Sequence, residues 1–263
     1  MTDTPVRLIA TDLDGTLVRA DWSVSPRSTH ALAQARQSGI KVVLITGRPK
    51  RWAQHVSDIV ASDAVAVANG AMVFDGDLDE VLISRLLDPA HARAFGIAMR
   101  AHDPEVAFAA ERPEGFLRDR RYIERWPADE IQVLDFEDLY SEPLIKMLIR
   151  HEGHSADSLL DVALEVARDF EVTLTHSSTD GLLEVSAAGV DKGTSLALLA
   201  QSWGIEPEEV IAFGDMPNDA AMLQWAGRSY AVANAHPMAK DAAKGLTAGV
   251  EEDGVAEILE QLA

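Results

Sequence analysis

The chain has 263 residues, no cysteine, and 43 acidic against 23 basic side chains, for a formal charge of −20 at pH 7. That balance excludes nucleic acid and anionic membrane surfaces as expected partners, since both need a basic footprint. It leaves room for a small phosphorylated ligand, because a bound divalent cation inverts the local field.

Without cysteine there is neither a disulfide nor a thiolate metal site. No apolar run approaches the ~18 residues of a membrane span. The opening Met1-Thr2-Asp3-Thr4-Pro5 lacks the basic and long apolar stretches of a signal peptide, so a cytoplasmic protein is expected. Its oligomeric state stays open between monomer and homodimer.

Residues 7–11 read as a buried strand running into Asp12-Leu13-Asp14-Gly15-Thr16. Two carboxylates two residues apart in extended backbone point the same way, and Gly15 permits a sharp turn after them. Ser25-Pro26 supplies an N-cap and a first-turn proline for a helix ending at Gly39. Residues 41–45 form a second apolar strand leading into Thr46-Gly47-Arg48, and 49–60 a helix. Residues 64–68 make a third strand that runs into Asn69-Gly70. Buried, non-alternating strands separated by helices indicate parallel βαβ units.

The pattern changes near residue 80. Asp75-Gly76-Asp77 reads as a hairpin turn, and Asp88-Pro89 opens a helix to about residue 101. Residues 103–142 show weak periodicity. Strands are expected at 144–149, 171–176 and 182–186, with a helix at 155–169. From Asp191 the earlier style returns, with a helix at 192–203 and a strand at 210–213 leading to Gly214-Asp215. The predicted fold class is α/β: a Rossmann-like parallel-sheet core of residues 1–81 and 187–263, with an α+β domain inserted at 82–186.

Strong strands that end in polar residues matter because parallel strands gather those ends on one edge, where α/β sheets bind ligands. Asp12, Asp14, Asp215 and Asp219 would meet there with Thr46 and Asn218. So many acids need counter-charge. An all-oxygen set favours Mg2+, and Lys192 is the basic complement. Thr46 and the Gly47 amide at a helix entrance would seat an anion. Taken singly, each has a plainer explanation: a turn for Asp12 and Asp14, a cap for Thr46, a surface lysine for Lys192. The joint pattern carries the weight.

In order and spacing these residues resemble the haloacid dehalogenase-like superfamily of phosphohydrolases, in its large-cap Cof-type branch, subfamily IIB. The matching segments are Asp12-Leu13-Asp14-Gly15-Thr16, Ile45-Thr46-Gly47-Arg48, Asp191-Lys192-Gly193 and Gly214-Asp215-Met216-Pro217-Asn218-Asp219, with Ala68-Asn69-Gly70-Ala71 and Ala233-Asn234-Ala235 beside them. The resemblance implies a Mg2+-dependent phosphatase of small phosphomonoesters, such as sugar phosphates or phosphorylated cofactors. It makes Asp12 the nucleophile that becomes an aspartyl-phosphate, and Asp14 the proton donor and acceptor. It makes Lys192 the charge on the transferring group. Mg2+ would take the Asp12 and Asp215 carboxylates and the Asp14 main-chain carbonyl. Asp219 would belong to the same metal set or orient Lys192. Thr46, Gly47 and Asn218 would hold phosphate, and Asn69 would shape the substrate end. Arg48 could contact phosphate or form a salt bridge on the core.

A phosphosugar mutase and a non-catalytic sugar-phosphate sensor are the alternatives on the same fold. The inserted domain would act as a lid that sets specificity. Its polar candidates are Arg118, Arg120, Arg121 and Tyr122. His151, His154, His176 and Trp126 have no reading beyond surface, strand-end or core positions.

Overall fold

The computed structural model describes residues 4–113, 115–125 and 131–262. They divide into two compact units, one formed by the described residues up to 84 together with those from 191 onward, the other by the described residues between 85 and 190. Trp126 lies outside the described residues. Among those described, no helix is long and apolar enough to cross a membrane.

The first unit begins with β1 (Leu8–Thr11), α1 (Pro26–Gln37), β2 (Lys41–Ile45), α2 (Lys50–Ser57) and β3 (Ala64–Val67). Ser25 caps α1 by accepting the Ser28 N–H, and Pro26 occupies the first turn, where its missing N–H leaves no bond unmade. β4 (Met72–Asp75) and β5 (Val81–Ser84) follow as antiparallel strands on the sheet edge beside β3. The hairpin expected at Asp75-Gly76-Asp77 therefore extends the parallel sheet.

The second unit contains α3 (Pro89–His102), β6 (Ala107–Arg112), β7 (Gly115–Arg118), β8 (Gln132–Val133), β9 (Lys146–Arg150), α4 (Ala156–Val166), β10 (Val172–Thr175) and β11 (Leu182–Ala187). Its sheet runs β10-β11-β9-β6-β7-β8. Three of these strands lie within residues 103–142, where periodicity gave no element. β6 is buried along Ala107–Glu111 and rich in alanine, and β8 has two residues, so neither alternates visibly. One face packs Phe108, Met147, Ile149, Leu183 and Val185 with Phe95 of α3 and Leu159 of α4. The alternate positions of β9 and β11 put Lys146 and Glu184 together as a buried ion pair, 2.6 Å apart.

The chain then returns to the first unit with α5 (Lys192–Ser202), β12 (Val210–Gly214), α6 (Ala220–Trp225), β13 (Arg228–Val232), α7 (Pro237–Ala242), β14 (Gly245–Thr247) and α8 (Gly254–Leu259). The eight strands run β14-β13-β12-β1-β2-β3-β4-β5, with every pair from β14 to β3 parallel. Alternate residues of β1 serve opposite layers. Leu8 and Ala10 join the apolar cluster that contains Leu196 and Met222, and Ile9 joins the one that contains Leu32 and Val255. A sheet covered on both faces explains why its strands read as continuous apolar runs. Gly193 belongs to the same logic, since a Cβ there would sit 2.6 Å from the Ala221 carbonyl carbon. Only glycine lets α5 approach α6 so closely.

Candidate active site

β1 pairs with β12 on one side and β2 on the other, so the chain order reverses beside it. That reversal opens the crevice where doubly wound sheets bind ligands, at the carboxyl ends of the strands. Asp12 leaves β1 still in register, its N–H donating to the Phe213 carbonyl at 3.0 Å. Lys192 opens α5 immediately after its cap, Asp191, whose carboxylate accepts the Thr194 N–H. The lysine side chain is fully buried. Its Nζ lies 2.5 Å from Asp12 Oδ1 and 2.6 Å from Asp219 Oδ1.

Asp215, after β12, accepts the Thr16 hydroxyl proton at 2.9 Å. Carboxylate oxygens of Asp12, Asp215 and Asp219 lie within 4.8 Å of one another. Gly15 makes this convergence possible: at φ +79° it turns the loop, and a Cβ there would stand 2.5 Å from Asp215 Oδ2. Asp219 differs from the other two. Its Oδ1 faces Lys192, and its Oδ2 accepts the N–H groups of Asp215 and Met216, both at 2.9 Å. Both of its oxygens already serve to orient the lysine and the loop after β12.

The electrostatics are those of an acid excess. Burial, with like charge from Asp219, Asp215 and Asp14, pushes the Asp12 carboxyl well above the usual range against the pull of Lys192. Burial and then Asp219 push Asp215 up to about 7. Burial opposes the charge on Lys192, but Asp12 and Asp219 outweigh it and hold the ammonium above its ordinary value. With all three buried carboxylates ionised, one ammonium would leave two negative charges unbalanced, and the raised pKa values of Asp12 and Asp215 register that excess. A divalent cation fits that excess, and an all-oxygen donor set suits a hard one.

Asp14 does not share this environment. The two acids meet different partners, because strand geometry ends near Asp12. The Leu13 carbonyl accepts the N–H groups of Thr16, Leu17 and Val18, so the backbone is already turning there. The Asp14 side chain is 57% exposed and docks on Arg48, with Nε at 2.7 Å and Nη2 at 2.5 Å from its two oxygens. Arg48 is buried, donates its Nη1 to the Trp52 carbonyl, and lies over the Trp22 ring at 4.3 Å. Of the two readings of Arg48, the structure shows the salt bridge.

Thr46 is buried and its hydroxyl accepts the Arg48 N–H at 3.0 Å, which leaves the hydroxyl proton to give to a ligand. It does not lie at a helix entrance. Pro49 is the cap of α2, so Thr46 and Gly47 belong to the loop before it, and an anion there would meet loop amides. Asn69 holds a left-handed backbone at φ 58° and donates its N–H to the Thr46 carbonyl, tying the loops after β2 and β3 together. Asn218 Nδ2 donates to Asn69 Oδ1 at 2.9 Å, while its own buried Oδ1 has no partner among the described residues.

In the second unit the polar candidates are engaged internally. Arg118 pairs with Glu124 at 2.8 Å, Arg120 with Asp135 at 3.3 Å, and Arg121 donates to the Pro104 carbonyl. Tyr122 is buried beneath Arg150. His176 is buried between Asp157 and the Ser178 carbonyl. Sequence reasoning missed Lys146, Arg150 and Glu184. The one signal was the alternation Lys146-Met147-Leu148-Ile149-Arg150, which sets charged positions on one face of β9.

Comparison with known proteins shows the family of the chain. The chain matches the haloacid dehalogenase-like hydrolases over residues 9–259. It is 27% identical to the 5-amino-6-(5-phospho-D-ribitylamino)uracil phosphatase YcsE of Bacillus subtilis, over 98% of this chain and 96% of that one. It is 29% identical to a phosphoglycolate phosphatase of Methanothermobacter thermautotrophicus, over 96% of each. A solved HAD subclass IIB sugar phosphatase shares the fold, with a TM-score of 0.82 at 23% identity, over 97% of this chain and 98% of that one. The class these findings define is the phosphoric monoester hydrolases. The chain belongs to the haloacid dehalogenase-like hydrolase family.

Proposed function

We propose that the protein is a Mg2+-dependent phosphatase of small phosphomonoesters that works through an aspartyl-phosphate on Asp12. The observation that carries this reading is the group of three buried acids around Lys192, at the carboxyl ends of adjacent parallel strands. Asp12 and Asp215 would hold Mg2+, with the Asp14 carbonyl completing the protein ligands. Asp219 keeps Lys192 and the Asp215 loop in place. When bound, Mg2+ neutralises the phosphate charge and lets Asp12 stay ionised beside other acids.

An Asp12 carboxylate oxygen attacks phosphorus and the ester P–O bond breaks, with the leaving alkoxide taking a proton from Asp14. Water then attacks the phosphorus, Asp14 takes its proton, and phosphate leaves with the Asp12 carboxylate restored. Lys192, the Thr46 hydroxyl and the loop amide of Gly47 offset charge on the equatorial oxygens. Asn218 Oδ1 accepts from a bound water or from a hydroxyl on the substrate. The second unit, inserted between β5 and α5, serves as the lid that admits the leaving group. The relatives' names span a ribityl-amino-uracil phosphate, phosphoglycolate and a sugar phosphate. Relatives that share phosphate release but differ in leaving group support a lid that chooses the leaving group.

Phosphate release from p-nitrophenyl phosphate should require Mg2+ and stop with EDTA; full turnover in EDTA would refute the metal assignment. Stability should report the same site. A carboxyl whose folded pKa is raised binds its proton more tightly when folded. The metal-free protein should therefore lose stability as pH rises from about 4 to about 7 through the Asp215 range. Saturating Mg2+ should flatten that part of the Tm–pH curve.

The Arg48–Asp14 dock has its own signature. p-Nitrophenolate leaves without a proton, whereas an alkoxide needs one from Asp14. Arg48→Ala should thus lower kcat/KM on an alkyl phosphate on the order of 10²-fold more than on p-nitrophenyl phosphate. Equal losses on both substrates would mean that Arg48 acts only through packing.

A further inference from the structure

The second unit holds a cluster of nitrogen and oxygen donors that the phosphatase chemistry does not use. Asp103 ends α3, Glu105 lies between it and β6, and His151 and His154 lie in the turn from β9 to α4. Ligand atoms of Asp103, His151 and His154 all lie within 4.8 Å of one another. His151 Nε2 is 3.1 Å from Asp103 Oδ2 and 3.7 Å from Glu105 Oε2. The two imidazoles meet edge to face with centroids 4.6 Å apart. The two His151 contacts, 3.1 and 3.7 Å, bracket the separation of donors that each stand about 2.0–2.2 Å from one shared ion.

The surrounding hydrogen bonds prepare the donors. Ser158 Oγ donates to the Ser155 carbonyl, so it accepts from His154 Nδ1 at 3.1 Å. With Nδ1 donating in that bond, Nε2 is the nitrogen left for a metal, and Ser158 is the outer partner that metal-ligating histidines generally have. Asp103 Oδ1 accepts the Glu105 N–H at 2.9 Å, which orients one carboxylate and draws the second donor's backbone to it. His151 is buried, so its ring direction is set by packing.

We propose that Asp103, His151 and His154, with Glu105 as fourth donor, bind a divalent transition-metal ion of the zinc type. The ion clamps the loop between α3 and β6 onto the turn between β9 and α4. Mixed imidazole and carboxylate donors select zinc-class ions over Mg2+, in contrast to the all-oxygen set at the strand ends. Loading relocates one proton. The Gly153 N–H donates to His151 Nδ1 at 2.9 Å, so the ring proton sits on Nε2 and faces Asp103. When Nε2 takes the metal, that proton passes to Nδ1, and the Gly153 amide turns away from the ring. No proton is lost on balance, and the Gly153 amide becomes a reporter.

The test is calorimetric titration of the tag-free full chain with ZnCl2 in excess Mg2+, with amide spectra recorded alongside. One equivalent should bind at about micromolar affinity or tighter, with a shift of the Gly153 amide resonance. His154→Gln and Asp103→Asn should each weaken zinc at least ~10-fold. Asp12→Asn should leave zinc binding unchanged, and His154→Gln should unfold cooperatively with a zinc-free Tm near that of the parent, which shows that it folds. No binding by millimolar zinc would overturn the proposal. So would equal affinity in His154→Gln and Asp103→Asn, or loss of binding in Asp12→Asn. None of these outcomes depends on the phosphatase reading being right.

Discussion

Asp12→Asn should reduce Mg2+-dependent turnover of p-nitrophenyl phosphate on the order of 10⁴-fold or more, while the protein remains folded. An amide is a poor nucleophile toward phosphorus and forms no stable phosphoryl ester, so the covalent route is lost outright. The substitution is nearly isosteric, and the Asp12 N–H still bonds the Phe213 carbonyl. It also removes one member of a buried acid group whose like charges oppose one another. The Tm of the metal-free variant should therefore match or exceed that of the parent. Steady-state kinetics and thermal unfolding together check the pair of outcomes. Full activity in the variant would remove Asp12 from the role of nucleophile.

The strand ends could be read from sequence because the first unit obeys simple rules. Both faces of its sheet are covered, so β1, β2, β3 and β12 are short apolar runs, and the polar residues after them stand out. Side-chain direction beyond a strand end was not legible. Asp12 and Asp14 have the spacing of same-face residues, yet the turn at Leu13 sends one toward Lys192 and the other to Arg48. The same limit applied to Thr46, where the helix begins only after Pro49. In the second unit, β6 hides because alanine gives no alternation, and the donors around His151 hide because they come from distant stretches of chain. No local pattern announces a meeting of Asp103 with His154. Composition could only say that acidic groups would be plentiful.

Lys192→Met should damage both stability and catalysis, and the two effects should separate. The lysine is fully buried between Asp12 and Asp219. Removing its charge leaves two carboxylates facing each other in a poorly solvated site, a change expected to cost about 3–5 kcal/mol. Urea unfolding at neutral pH measures it. The sign with pH follows from the raised pKa of the ammonium. The stabilisation is complete below the ordinary lysine range and fades only as pH rises through the folded value in strong alkali. Parent and variant should thus differ by a constant amount across neutral pH as far as this group is concerned.

Turnover should fall about 10²–10³-fold, because an oriented charge on the transferring phosphoryl group is lost. Adding Asp219→Asn to Lys192→Met removes the repulsion without returning the ammonium. The double variant should recover much of the stability and none of the rate. If it recovers both, Lys192 acts only as a buried counter-ion. If it recovers neither, the lysine holds the loop after β12 by contacts other than its charge. Recovery of stability alone would separate the two tasks that one side chain performs, neutralising the fold's buried acids and stabilising the charge that develops on phosphorus.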